Sequence, residues 1–292
     1  MRVIFFDLDR VLTPQSHVLL IADRIGKKEE FKRLFKGNIV GSTGLEWIVK
    51  QGIKFLEGYD PSIFEETAKK MEIVKNGKNV IKELKKNGYY PILITNGFYR
   101  VAKIFGERIG IEEAYGNKVE EKNGVFTGKI YSDLMTLKSK GDFVRRILRE
   151  KESEFSVSVG DDENDWFMFK ETDFSILFNP TPSIMNKIKS FKKERGIREL
   201  TKFINLIVAN DDLNLILPFL VPKPNLFPKV SNMERKIIRL DIFYRTKRLR
   251  IHDITLLRIS CCESSYHGIV IPCPIVIQSC YVFFFSCVFI FF

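Results

Sequence analysis

Four short runs, VIFF at 3–6, YPILI at 90–94, FSVSV at 155–159 and FSILF at 174–178, leave this chain few ways to fold. Each is too short for a buried helix and is rich in β-branched and aromatic residues, so each reads as a strand buried on both faces. Between them lie stretches with helical spacing. NGKNVIKELKKN at 76–87 is amphipathic and closes on Gly88, and further helices are expected over 98–109, over 140–149 and from 164 to 169. VEEKNGVFTGKI at 119–130 predicts a hairpin turning on Asn123-Gly124. Strands and helices alternating at this length predict an α/β fold: a Rossmann-like, mostly parallel sheet with helices on both faces.

The first strand is expected to start at Arg2 and end in a loop by Leu12. From 18 to about 75 the pattern turns helical, with Leu19, Leu20 and Ile25, then Phe31, Leu34 and Phe35, then Trp47, Ile48, Phe55 and Leu56 at helical spacing. This predicts a small helical cap inserted after the first strand. The expected domains are a catalytic core formed by 1–14 and 75–209, the cap at 15–74, and an atypical tail at 210–292.

Charge and cysteine usage narrow the function classes. Residues 1–212 carry 37 Lys and Arg against 32 Asp and Glu, a balance too mild for a nucleic-acid platform. All five cysteines (261, 262, 273, 280 and 287) fall in the last 32 residues, so no disulfide framework or zinc cage is available to the first 260. The start runs from a strand straight into acidic residues without the pattern of a secretory signal, which predicts a cytoplasmic catalytic part. His17, His252 and His267 are scattered without metal-ligand spacing and read as ordinary surface or core histidines.

The tail breaks the grammar of the core. From 213 onward there is no alanine and one glycine, and residues 268–292 carry no charge. A run of that length can span a bilayer, and the basic stretch at 233–250 would set its orientation. Pro272 and Pro274 stand against a spanning helix. The preferred expectation is an extension outside the selected domain, such as a shifted-frame or read-through product, over membrane contact through 268–292.

Chemistry concentrates at the expected strand ends. Asp7-Leu8-Asp9, Thr95-Asn96-Gly97, the helix start Lys140-Gly141-Asp142, and Gly160-Asp161-Asp162-Glu163-Asn164-Asp165 would converge on one crevice of a parallel sheet. Alone, each has an ordinary explanation: paired acids behind a strand often begin a loop, and acids in a helix's first turn answer its dipole. Together they suit phosphoryl transfer, which needs a nucleophile, a proton carrier, a cation and donors for the equatorial oxygens. Asp7 and Asp161 are the two carboxylates a Mg²⁺ ion would need, and Thr95 and Lys140 would cradle phosphate, with Lys138 as a rival for the lysine role.

The order DLDRVLT, helical insertion, ITNG, NGVFTGKI, KSKGDFVRRIL and VSVGDDENDWFMF, covering residues 1 to about 185, resembles the haloacid dehalogenase superfamily of phosphatases and its phosphoserine phosphatase branch. That resemblance implies Asp7 as the nucleophile forming an aspartyl phosphate, and Asp9 as the general acid that later activates water. It also implies a Mg²⁺ site from Asp7, Asp161 and the backbone carbonyl of Asp9, with Asn164 and Asp165 orienting it, and phosphate held by Thr95, Asn96 and Lys140. The implied substrate is a small phosphorylated metabolite, phosphoserine among the options. The sequence departs from the branch at three places. No acid follows Pro14 before Asp23, Gly52 stands where a cap arginine is expected, and bulky Arg10 follows the second aspartate. A phosphotransferase of the same fold, or a non-catalytic relative tethered by its tail, are the alternative readings.

Overall fold

The computed structural model describes residues 1–38, 42–131, 134, 136–189, 203–221, 238–240, 275–277, 280–285 and 288–291. Strand β1 (Arg2–Phe6) is followed by helices α1 (His17–Arg24), α2 (Lys28–Asn38), α3 (Ser42–Lys54) and α4 (Ser62–Lys70). Helix α5 (Gly77–Lys86), β2 (Tyr89–Phe98), α6 (Tyr99–Ile109), the hairpin β3 (Glu113–Lys122) and β4 (Val125–Tyr131), and α7 (Leu137–Glu150) come next. The described order continues with β5 (Phe155–Gly160), α8 (Trp166–Glu171), β6 (Phe174–Phe178), α9 (Pro182–Lys189), β7 (Leu206–Val208) and β8 (Ile238–Leu240).

These strands form one sheet in the order β4-β3-β2-β1-β5-β6-β7-β8, parallel except for the β3/β4 pair. β1 lies at its centre, and the chain builds outward from it first toward β2 and β3, then toward β5 and β6. Such a reversal opens a crevice at the carboxyl ends of the strands.

The two faces of β1 show why its apolar run is continuous. Ile4 and Phe6 pack with Val80, Ile81 and Leu84 of α5 and Phe105 of α6, while Val3 and Phe5 pack with Val144 and Ile147 of α7 and Met168 of α8. All four β1 side chains are fully buried. In β5 only the valines serve as apolar core; Ser156 and Ser158 face the other way and hydrogen-bond to Asp173 and Thr172, each at 2.6 Å.

Local signals set the element ends. The hairpin turns at Asn123 (φ 53°) and Gly124 (φ 80°), the left-handed pair that a two-residue turn requires. Helix α7 begins with a reciprocal capping box between Thr136 and Ser139. Gly141 lets α7 approach α8 closely: a Cβ there would lie 2.6 Å from the Phe167 carbonyl oxygen.

Several expectations on extent change. β1 stops at Phe6, where the expected strand gives way to its loop, and there the Leu8 carbonyl accepts from the amides of both Leu12 and Thr13 while Arg10 takes a left-handed conformation (φ 62°). The hairpin's first strand starts at Glu113, since Ile92–Ile94 pair with Glu113–Tyr115 before the hairpin proper begins. Strand β7, three residues long, carried no pattern to find. Leu213, Ile216 and Leu220, read from sequence as tail, are buried against the sheet, fastened by Tyr89 Oη to the Leu220 carbonyl and by Asn76 Nδ2 to Asp212 Oδ1.

The C-terminal stretch considered for membrane contact appears as three strands, Ile275–Ile277, Cys280–Phe285 and Val288–Phe291, in a separate antiparallel sheet; the rest of 222–292 outside these and β8 lies outside the described residues. Among the described residues no helix is long and apolar enough to cross a membrane.

Two measurements check this packing. Gly141→Ala forces α7 and α8 apart and is expected to cost about 1–3 kcal/mol in urea unfolding, as overpacking typically does. A chain ending at residue 210 loses the burial of Leu213, Ile216 and Leu220 and is expected to melt below one ending at Val221.

Candidate active site

The parallel register brings the expected strand ends together. Phe6 pairs with Leu93 on one side and Val159 on the other, so Asp7, Thr95 and Asp161 all lie one or two residues past the same level of the sheet. The Asp7 amide extends the β5 ladder, donating to the Val159 carbonyl at 3.0 Å. The β2 ladder shifts register between Ile94 and Phe98, an irregularity that re-aims the Thr95–Gly97 side of the crevice.

At the centre stands Lys140, 1 % exposed, with its ammonium 2.6 Å from Asp7 Oδ1 and 2.5 Å from Asp165 Oδ1. Lys138 is exposed and drops out as its rival. Asp165 in turn accepts the Asp161 amide at 2.9 Å through Oδ2. That contact depends on Gly160, where a Cβ would fall 2.2 Å from the same oxygen. Oxygens of Asp7, Asp161 and Asp165 lie within 4.8 Å of one another.

Crowding these carboxylates in a buried place has an electrostatic consequence. Burial drives the Asp7 carboxyl well above the usual range; the pull of Lys140 opposes this, and repulsion from Asp165 and Asp9 adds to it. Burial, then repulsion from Asp162, Asp165 and Asp7, pushes Asp161 up to about 10. Burial alone would discharge Lys140, but Asp165 and Asp7 outweigh it and keep the ammonium charged, its pKa raised. Asp7 and Asp161 thus resist carrying their negative charge, and with Asp165 they form a trio of hard oxygen donors that fits a divalent cation such as Mg²⁺.

The remaining expected residues take varied places. Thr95 is buried, and its hydroxyl oxygen accepts the Gly97 amide at 3.0 Å, which leaves the hydroxyl proton for another acceptor. Asn96, expected to bind phosphate, has its side-chain nitrogen engaged by backbone carbonyls. Its amide nitrogen donates to the carbonyls of Leu134 (2.7 Å) and Thr136 (3.3 Å), tying the loop before α7 to β2, and an amide oxygen is no partner for an anion. Asn164, expected to orient the metal ligands, donates instead to Asp162 through its backbone (2.7 Å) and side-chain (3.2 Å) nitrogens. Asp165, expected to orient the metal ligands, lies within the carboxylate trio and accepts from Lys140 and from the Asp161 amide. The Asp9 carboxylate is outside that trio: it accepts from the backbone and ring of His17 and from Ser16.

Two residues acquire contacts that no sequence pattern announced. Arg10 donates to Asp161 Oδ2 at 2.8 Å and to the Asn179 carbonyl at 3.3 Å, reaching across the crevice mouth. His17 is fully buried beside Asp9. Its one signal was its place directly after Ser16, which caps α1, since a helix start brings the next side chain back over the preceding loop.

A model of the haloacid dehalogenase-like hydrolase family matches residues 4–170. The chain belongs to that family. Within it the chain resembles the phosphoserine phosphatase branch, and it is a phosphatase. A phosphoserine phosphatase of Methanocaldococcus jannaschii is 27 % identical over 205 residues, spanning 70 % of this chain and 97 % of that one. One from Wolinella succinogenes is 26 % identical over 202 residues, spanning 68 % and 98 %. Among solved structures, a phospho-aspartyl intermediate analogue of phosphoserine phosphatase superposes with a TM-score of 0.62 at 24 % identity, over 75 % of this chain and 98 % of that one. The last likeness shows the α/β fold of this phosphatase.

The carboxylate cluster makes a stability prediction. Asp161 holds a proton in the folded, metal-free chain up to about pH 10, whereas unfolded it releases it near its ordinary value of about 3.9. Between these limits the folded state binds more protons, so stability falls as pH rises. Metal-free protein is expected to melt lower at pH 8 than at pH 5, Mg²⁺ to restore the pH 8 value, and Asp161→Asn to flatten both responses in thermal denaturation.

Proposed function

We propose that this chain is a Mg²⁺-dependent phosphomonoesterase that hydrolyses a small phosphorylated metabolite through an aspartyl phosphate on Asp7. The observation that carries the reading is the placement of the Asp7 carboxylate at the end of β1, gripped on Oδ1 by buried Lys140 and within ligand distance of Asp161 and Asp165. With Oδ1 bound, Oδ2 is the oxygen that attacks phosphorus. The P–O bond to the substrate alcohol breaks as Asp9 delivers a proton to the leaving oxygen. Asp9 then takes a proton from water as that water attacks the phosphorus, releasing phosphate and the Asp7 carboxylate.

Thr95 and Lys140 supply donors for the equatorial oxygens. Asp7, Asp161 and Asp165, with the Asp9 carbonyl, are the groups to hold Mg²⁺, which supplies charge neutralisation for the transferring phosphoryl group. Helices α1–α4 form the cap over this crevice. Phe64 of α4 stacks on Phe98 (4.5 Å between centroids) and lies 4.6 Å from Phe126 of the hairpin, anchoring the cap to both sides of the strand ends.

Phosphoserine is the substrate named for the relatives, and it is the first metabolite to test. The cap argues for a different side-chain contact from the one expected in that branch. At Gly52 a Cβ would meet the Phe31 ring at 2.4 Å, so this ring fills the space in which an arginine would start. Ser16, in the stretch where an acid is expected, has its hydroxyl on Asp9.

Release of phosphate from p-nitrophenyl phosphate tests the nucleophile: Asp7→Asn is expected to lose at least about 10³-fold in kcat, and near-normal turnover would refute the assignment. A panel of phosphorylated amino acids, sugars and nucleotides, ranked by kcat/KM, decides the substrate class.

A further inference from the structure

His17 is the first residue of α1, fully buried, and both its ring nitrogens are engaged. Nε2 lies 3.0 Å from the Phe98 amide, and Nδ1 lies 2.6 Å from Asp9 Oδ1. An amide N–H can only donate, so Nε2 is its acceptor and Nδ1 carries the imidazole proton. The ring therefore donates to the Asp9 carboxylate. The same oxygen, Oδ1, also receives the His17 backbone amide at 3.0 Å, whereas Oδ2 has the longer 3.3 Å contact with Ser16 Oγ.

The room for this ring is built into β2. A Cβ on Gly97 would lie 2.1 Å from both Cε1 and Nε2 of His17, so only glycine lets the imidazole reach the Phe98 amide. The Phe98 ring closes the pocket edge-on, 5.7 Å from the imidazole centroid. One side chain thereby links the first acidic loop to the backbone that follows Thr95.

We propose that His17 is a positioning residue for Asp9: its Nδ1–H locks Oδ1, so that Oδ2 is the oxygen that passes the proton to the leaving group and takes it back from water. Two N–H donors on Oδ1 leave no place for a proton on that atom, which assigns the transfer to Oδ2. The inference rests on the reading of Asp9 as the proton carrier. It extends that reading by naming the atom and the residue that orients it.

The test compares kcat/KM for phenyl phosphate, a poor leaving group that needs the proton, with p-nitrophenyl phosphate, which leaves largely without it. The quantity reports steps up to formation of the phosphoenzyme. His17→Gln keeps an acceptor for the Phe98 amide but removes the donor to Asp9. It is expected to lose about 10-fold on phenyl phosphate and no more than about 2-fold on p-nitrophenyl phosphate, part of the range general acid catalysis supplies. His17→Asn returns an N–H to the Nδ1 position and is expected to recover most of the phenyl phosphate rate. Equal losses on both substrates in His17→Gln, no loss on either, or no recovery in His17→Asn would each overturn the proposal. Asp9→Asn separates the two levels: a selective loss there with none in His17→Gln sinks the role of His17 alone, while no selectivity in Asp9→Asn sinks the reading of Asp9 itself.

Discussion

A charged lysine buried between two aspartates is the interaction on which the rest of this molecule depends. The Lys140 ammonium joins Asp7, at the end of the central strand, to Asp165, at the start of α8, and so ties α7 and the end of β1 to the loop that follows β5. Without it three carboxylates would face one another in a place that burial makes hostile to charge. Removing one partner of such a buried set typically costs about 3–5 kcal/mol, because the remaining charges stay behind unpaired. The sheet, its two apolar faces and the glycines at 141 and 160 all serve to bring these groups to contact.

The strain of that arrangement is also its use. Asp7 and Asp161, which burial and repulsion push toward protonation, stand with Asp165 where a divalent cation would be welcome, and the grip of Lys140 on Asp7 Oδ1 fixes the direction of its other oxygen. Stability and chemistry therefore draw on the same charges. The fold bears a repulsion that a bound cation would relieve, as expected where a site is arranged for function rather than for maximal stability. Arg10 moderates part of that repulsion at Asp161 from the crevice mouth.

A second group of contacts surrounds Asp9. Asp9 sits two residues from Asp7 yet faces elsewhere, into Ser16 and His17, so two neighbouring aspartates meet opposite surroundings. One is in the cation-shaped cluster; the other lies under the first turn of the cap. This division gives two neighbouring carboxylates different partners, Lys140 for Asp7 and His17 with Ser16 for Asp9.

The amino-acid sequence by itself determined the layer architecture, since period-2 and period-3.6 apolar patterns dictate which elements can share a core. It also located the acidic loops, Thr95 and Lys140 at strand and helix ends, because a parallel sheet gathers those ends on one edge. Only the tertiary structure decided which side chains meet there. Lys140 and Asp7 are 133 residues apart, Arg10 and Asp161 are 151 apart, and His17 reaches Phe98 across 81. The Asn96 side chain ties down the loop before α7, and Asn164 donates to Asp162, the cap of its turn. Local pattern governs which face a residue occupies, whereas the partner of a polar side chain depends on how closely two distant backbones approach. Here that approach is set by Gly97, Gly141 and Gly160, whose missing side chains acquire meaning only once the chain has folded.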